Sequence, residues 1–295
     1  MVKSGRADYH AVPGMPRDMA MQTPQYDQDH DDHDGITFEV VEEENDAGGA
    51  RVRNKGIYLL PNLFTTAALF SGFYAIIAAM NGRFEAAAIA IFVAALFDGM
   101  DGRVARMTNT QSAFGAEYDS LSDMVSFGVA PALVVFTWSL QSLGKIGWIC
   151  AFIYTVAAAF RLARFNVQLA VVDKRYFIGL SSPLAAAILA SLVWAGFDNR
   201  IAGREQELAI AVAVVTVLSA FLMVSNFRYY SFKELDRSRV PFAVMLPVVL
   251  ILGIINYNLP VGLLTVSVVY ALSGPVATMW NRHKPAGVPP AQTRG

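Results

Sequence analysis

The chain has 295 residues, 55% of them hydrophobic and only 16% charged, with a formal net charge of −1. Soluble domains are roughly 45–50% apolar and about 25% charged, so this composition and a mean hydropathy of +0.41 exclude an ordinary soluble domain, and the charge balance gives no sign of a nucleic-acid partner. The lone cysteine, Cys150, excludes an internal disulfide and reads as an inert thiol in an apolar run.

Residues 1–50 form an acidic tail, with Asp27, Asp29, Asp31, Asp32 and Asp34 close together and then Glu42, Glu43 and Glu44. Such a segment cannot bury enough apolar surface to offset the entropy of folding, which predicts disorder. The acidic run does not fit an EF-hand loop, because Asp32 stands at the sixth position where that loop needs glycine. The tail has no apolar core of a secretory signal. Residues 51–58 follow as a basic juxtamembrane segment carrying Arg51, Arg53 and Lys55, suited to an anionic lipid surface.

From residue 59 to 282 the chain is a series of apolar segments. About 20 apolar residues cross a bilayer as a helix. This predicts an all-α integral membrane protein with about eight transmembrane helices, at 59–80, 84–106, 115–138, 145–165, 180–197, 206–226, 240–257 and 260–280. Residues 283–295 form a C-terminal tail. With the N-terminus in the cytoplasm, sixteen of the 23 lysines and arginines lie inside, and only Arg83, Lys145, Arg200 and Arg204 lie outside. The bias places both termini in the cytoplasm.

Two of these segments carry acids at one end: Asp98 and Asp101, then Asp119 and Asp123. At helical spacing Asp98, Asp101, Gly102, Ala105 and Arg106 share one face, and Gly115, Asp119, Ser122, Asp123 and Ser126 share another. Two helices joined by a short turn can therefore aim four carboxylates at one volume. Converging carboxylates repel one another unless cations lie between them, and an all-oxygen donor set suits Mg²⁺ or Mn²⁺. Gly102 leaves room for a ligand at the backbone, and Arg106 offers a fork of donors to phosphate. A structural ion-pair cluster is the bland alternative. Ser122 and Ser126 read as small residues that let helices pack closely.

The pattern Asp98-x-x-Asp101-Gly102-x-x-Ala105-Arg106, eight residues, Gly115-x-x-x-Asp119-x-x-x-Asp123 resembles the signature of the CDP-alcohol phosphatidyltransferases at every fixed position. The resemblance implies a helical membrane enzyme, a homodimer with its active site at the cytoplasmic face of the cytoplasmic membrane. It implies displacement of CMP from a CDP-linked lipid by an alcohol. Asp98, Asp101, Asp119 and Asp123 would bind two divalent cations, Mg²⁺ or Mn²⁺, with Asp123 also the general base. Gly102, Arg106 and Gly115 would contact the CDP moiety. Pro61-Asn62-Leu63-Phe64-Thr65 is similar to the family's first-span segment near the nucleotide, which adds Asn62 and Thr65; ordinary helix capping by Asn62 is the other reading.

Longer stretches resemble the bacterial-type phosphatidylserine synthases of this family, including 58–65, 114–128, Arg161-Leu162-Ala163-Arg164-Phe165-Asn166, 173–180 and 230–233. One departure is Ser181-Ser182-Pro183, where Pro-Ser-Pro is expected. The likeness implies CDP-diacylglycerol as donor and L-serine as acceptor. Arg161, Arg164 and Asn166 are the acceptor-pocket candidates, since arginine pairs bidentately with a carboxylate. The two arginines read equally as lipid-headgroup anchors at the end of a span. Glycerol phosphate, inositol phosphate or choline as acceptor keeps the same donor machinery. An ion-coupled transporter is the competing class, because intramembrane acids also mark ion paths. Against it, the acids gather at one membrane face beside a phosphate-suited glycine and arginine, with no inverted repeat.

Overall fold

A computed structural model describes residues 41–45, 51–55, 59–108, 112–168, 176–198, 205–230 and 258–282. The chain divides into two units, Met1–Glu39 and Val40–Gly295, and every described residue lies in the second. Residues 1–40 of the expected tail, the expected span 240–257 and the expected tail 283–295 lie outside the described residues.

Seven of the eight expected spans correspond to helical segments. They are α1 (Leu59–Met80), α2 (Phe84–Thr108), a segment that begins with α3 (Ala113–Asp123) and ends with α4 (Ala130–Trp138), α5 (Lys145–Gln168), α6 (Ser182–Asp198), α7 (Glu205–Val224) and α8 (Leu259–Arg282). Among the described residues, five segments are long and apolar enough to cross a membrane by length and composition: Leu60–Met80, Ala113–Trp138, Lys145–Val167, Gln206–Val224 and Leu259–Thr278. α6 supplies a shorter apolar helix, Ser182–Phe197. α2 carries Asp98, Asp101, Arg103 and Arg106 near its C-terminal end, more charge than lipid tolerates without partners.

The core that carries the site is built from small side chains. Ala75, Ala78 and Ala79 of α1 are buried, as are Ala87, Ala88, Ala90, Ile91 and Ala94 of α2. A turn through Asn81, Gly82 and Arg83 joins the two helices, with Gly82 N donating to Ala79 O and Arg83 N to Ala78 O. In lipid no hydrophobic force drives helices together, so close backbone approach through such residues supplies the packing. Large apolar side chains face outward instead, among them Phe70, Phe73, Phe152, Phe160 and Phe221.

Two departures from the expected all-helical chain are local. Val41–Asn45 (β1), expected to be part of a disordered tail, pairs antiparallel with Arg51–Lys55 (β2), with Glu43 in register with Arg53. Tyr176–Ile178 (β3) pairs antiparallel with Arg228–Tyr230 (β4). These strands are three and five residues long, too short for alternation to announce them, and pairing satisfies backbone groups outside the helices. The second pair ties the approach to α6 to the end of α7: Gly179 N donates to Phe227 O, and Leu180 N to Leu222 O. Gly179 adopts φ 83°, a region that favours glycine.

The third expected span is also not one regular helix. Between α3 and α4, Met124–Val129 forms a π-helical turn, with Ala130 N bonded to Val125 O. A 3₁₀ turn, Leu140–Leu143, follows α4.

Candidate active site

The site lies where α1, α2 and α3 meet. α2 brings Asp98 and Asp101 from near its C-terminal end, and α3 brings Asp119 and Asp123. Ser112 caps α3, its side chain accepting from Gly115 N at 2.9 Å, which fixes the start of the helix that carries two of the acids. Ser112 is not among the residues expected at the site, although a serine just before a periodic segment is a start signal.

Carboxylate oxygens of Asp98, Asp119 and Asp123 lie within 4.8 Å of one another. The Asp98 carboxyl group lies beside that of Asp123, and the Asp101 carboxyl group beside that of Asp119. Asp101 is the most enclosed acid, at 5% exposure, and its oxygens are engaged: Thr65 Oγ1 donates to Oδ2 at 2.9 Å, and the Gly102 amide donates to Oδ1. Three of the four expected ligands thus share one volume, and the fourth stands beside them, held by α1. Partly buried carboxylates at this separation fit a hard divalent cation, which would neutralise their mutual repulsion.

Beside the acids is a cavity of about 220 Å³. All five expected CDP-lipid residues line it: Asn62, Thr65, Gly102, Arg106 and Gly115. Asp101 and Asp119 form its wall toward the acid cluster. Asn62 Nδ2 is buried there without a hydrogen-bond partner. A buried amide donor left unpaired is costly and points to an absent acceptor. Asn62 is the fourth residue of α1, within the helix rather than at its cap. A Cβ on Gly115 would lie 3.1 Å from Ser112 Oγ and 3.5 Å from Asn62 Oδ1, so a side chain there would crowd both the cap and the amide.

The three expected acceptor residues are separated by their neighbours. Arg161 interacts electrostatically with Asp98 and Asp123, donates to Ser182 Oγ at the start of α6, and lies 5.9 Å from the Phe165 ring centroid. Arg164 turns to α7, donating to Asn226 Oδ1 at 2.7 Å and to Val224 O at 3.4 Å. Asn166 exchanges a hydrogen bond with Ser120 of α3 at 3.0 Å. Only Arg161 reaches the acids. Arg164 and Asn166 act as clasps between helices, so the expected pocket does not form as a trio.

Ser122 Oγ donates to Thr65 O and Ser126 Oγ to Ala68 O, each at 3.1 Å. Thr66 and Tyr118 share a hydrogen bond of 2.9 Å between their hydroxyls. Both serines therefore stitch α1 to the acid-bearing segment, and their packing role includes a directed bond.

Residues 58–272 match the profile of the family described as CDP-alcohol phosphatidyltransferase. A CDP-diacylglycerol–serine O-phosphatidyltransferase of Helicobacter pylori is 38% identical over 193 residues, covering 64% of this chain and 79% of the relative. A CDP-diacylglycerol–serine O-phosphatidyltransferase of Bacillus subtilis is 31% identical over 175 residues, covering 59% of this chain and 92% of the relative. An archaetidylserine synthase of Methanothermobacter thermautotrophicus is 34% identical over 172 residues, covering 58% of this chain and 69% of the relative.

Proposed function

The chain belongs to the CDP-alcohol phosphatidyltransferase family, and on that premise we propose that it makes phosphatidylserine and CMP from CDP-diacylglycerol and L-serine. The observation that carries the reading is the junction of two features: oxygens of Asp98, Asp119 and Asp123 within 4.8 Å of one another, and an adjoining cavity with an unpaired Asn62 amide. The first suits a diphosphate carried with cations, and the second suits a polar nucleotide head. Relatives named as serine transferases support the choice of acceptor.

In this reading Asn62, Thr65, Gly102, Arg106 and Gly115 hold the CDP moiety. The Asn62 amide donates to an acceptor on the nucleotide, and Arg106 pairs with phosphate. Gly102 and Gly115 let the ligand come close to the backbone. Asp98, Asp101, Asp119 and Asp123 hold the two divalent cations, Mg²⁺ or Mn²⁺, with Asp101 kept in place by Thr65. When bound, the cations supply neutralisation of diphosphate charge.

Asp123 removes the proton from the serine hydroxyl. The serine oxygen forms a bond to the phosphorus that bears diacylglycerol, the bond from that phosphorus to the bridging oxygen breaks, and CMP departs with the bridging oxygen. No bond to the protein forms. Arg161, beside Asp98 and Asp123, pairs with the serine carboxylate and so brings the hydroxyl to the base. The reading includes a homodimer in the cytoplasmic membrane, with eight spans and catalysis at the cytoplasmic face.

The test is turnover by Asp123→Asn in detergent. Abolished CMP release with retained CDP-diacylglycerol binding is the expected result. Normal turnover refutes the role of Asp123, and labelled phospholipid covalently attached to the protein refutes direct displacement.

A further inference from the structure

Asp123 is the last residue of α3, and the helix widens at the next residue. A π-helical turn inserts about one residue into the α-helical repeat and so rotates the downstream helix by about 100°. The direction of the Asp123 carboxylate relative to the rest of the span is therefore tied to this turn.

The turn has a distant partner. Pro131 stands in the first turn of α4. Proline has no N–H, so it contributes no backbone donor to the turn. Tyr154 of α5 meets the turn from the side: its hydroxyl donates to Phe127 O at 3.1 Å, and the side chain is fully buried. Ala158, one helical turn further along α5, lies against the same turn, 3.2 Å from where a Gly128 Cβ would sit. On the opposite side Ser126 is locked to Ala68 O, and Gly72 makes room for it, since a Cβ on Gly72 would lie 2.5 Å from Ser126 Oγ.

Tyr154 also sets a register. Arg161 lies seven residues beyond it, two helical turns along the same face of α5. The bond from Tyr154 to the turn behind Asp123 thus fixes where α5 presents Arg161 to Asp98 and Asp123.

We infer that Tyr154 is a positioning residue: its hydroxyl, on the Phe127 carbonyl within the widened turn, holds that turn behind Asp123 and thereby aims the base and brings Arg161 to it. This rests on the assignment of Asp123 as base. Tyr154 touches neither donor nor acceptor. It acts through the backbone of the acid-bearing span.

Tyr154→Phe removes one hydroxyl and keeps the ring. Its loss costs about one hydrogen bond, which corresponds to about tenfold. In the purified full-length protein, kcat should fall about tenfold while KM for CDP-diacylglycerol stays within about twofold, because the donor cavity lies on α1, α2 and the start of α3. Mn²⁺, titrated alone in the absence of substrate, should bind severalfold more weakly. Wild-type kcat and Mn²⁺ affinity in Tyr154→Phe, beside an inactive Asp123→Asn, would overturn the inference while leaving the base assignment intact. An active Asp123→Asn would overturn the base assignment and this inference with it.

Discussion

Replacing Thr65 with valine tests how the acid cluster is held. Thr65 and Asp101 are 3% and 5% exposed, and the hydroxyl donates to Asp101 Oδ2 at 2.9 Å. Valine keeps the β-branched shape, so helix packing between α1 and α2 is conserved while the donor is lost. The other oxygen of Asp101 keeps the Gly102 amide, so the carboxylate loses one bond and gains freedom to turn. A hydrogen bond to a charged group is worth about 1.5–3 kcal/mol. At about 1.4 kcal/mol per factor of ten, that corresponds to a loss of roughly 10- to 150-fold in kcat/KM for CDP-diacylglycerol. The assay is CMP release at saturating serine with varied donor, in a preparation checked for a monodisperse profile and an unchanged melting temperature. Thr65→Ser keeps the donor and should stay within about threefold of wild type. Wild-type kcat/KM in a well-folded Thr65→Val would refute the idea that Asp101 needs this anchor.

The same geometry sets three further outcomes. Asn62→Leu removes the unpaired amide at the cavity wall and should raise KM for CDP-diacylglycerol about tenfold with little change in serine KM; equal rises in both would point to general distortion. Arg161→Ala should raise the serine KM by about tenfold or more, whereas Arg164→Ala, which cuts the clasp to Asn226 and Val224, should lower the melting temperature in detergent and leave serine KM unchanged. The reverse pattern would move the acceptor pocket to Arg164. Gly179→Ala places a Cβ 2.5 Å from Met223 O at φ 83° and should destabilise the protein by about 1–3 kcal/mol; an unchanged melting temperature would contradict the described path into α6.

The acid site was legible because its chemistry is written at helical spacing. Asp98 with Asp101, and Asp119 with Asp123, are one turn apart on two helices joined by a short link, so local geometry alone brings them to one end. That Gly102, Arg106 and Gly115 line one cavity beside the acids was legible in the same way, since they belong to those helices. What spacing could not separate was Arg161 from Arg164. They are one turn apart on α5, and their surroundings differ because α6 presents Ser182 to one and the segment after α7 presents Asn226 to the other. The pairing of Tyr154 with Phe127 spans 27 residues. Pro131 announces a break in the helical ladder, but no local rule says which helix meets the turn beside it. The strands β3 and β4 are closed by partners about fifty residues apart, beyond the reach of any periodicity.

The central claim is the reaction, and the most direct measurement is CMP release by the purified protein given CDP-diacylglycerol, Mg²⁺ or Mn²⁺, and L-serine, glycerol 3-phosphate, inositol, inositol phosphate or choline in turn. The account predicts release with serine alone, lost in Asp123→Asn. Release only with another acceptor would contradict the serine assignment, and no release with any of them from a well-folded preparation would contradict the proposed chemistry.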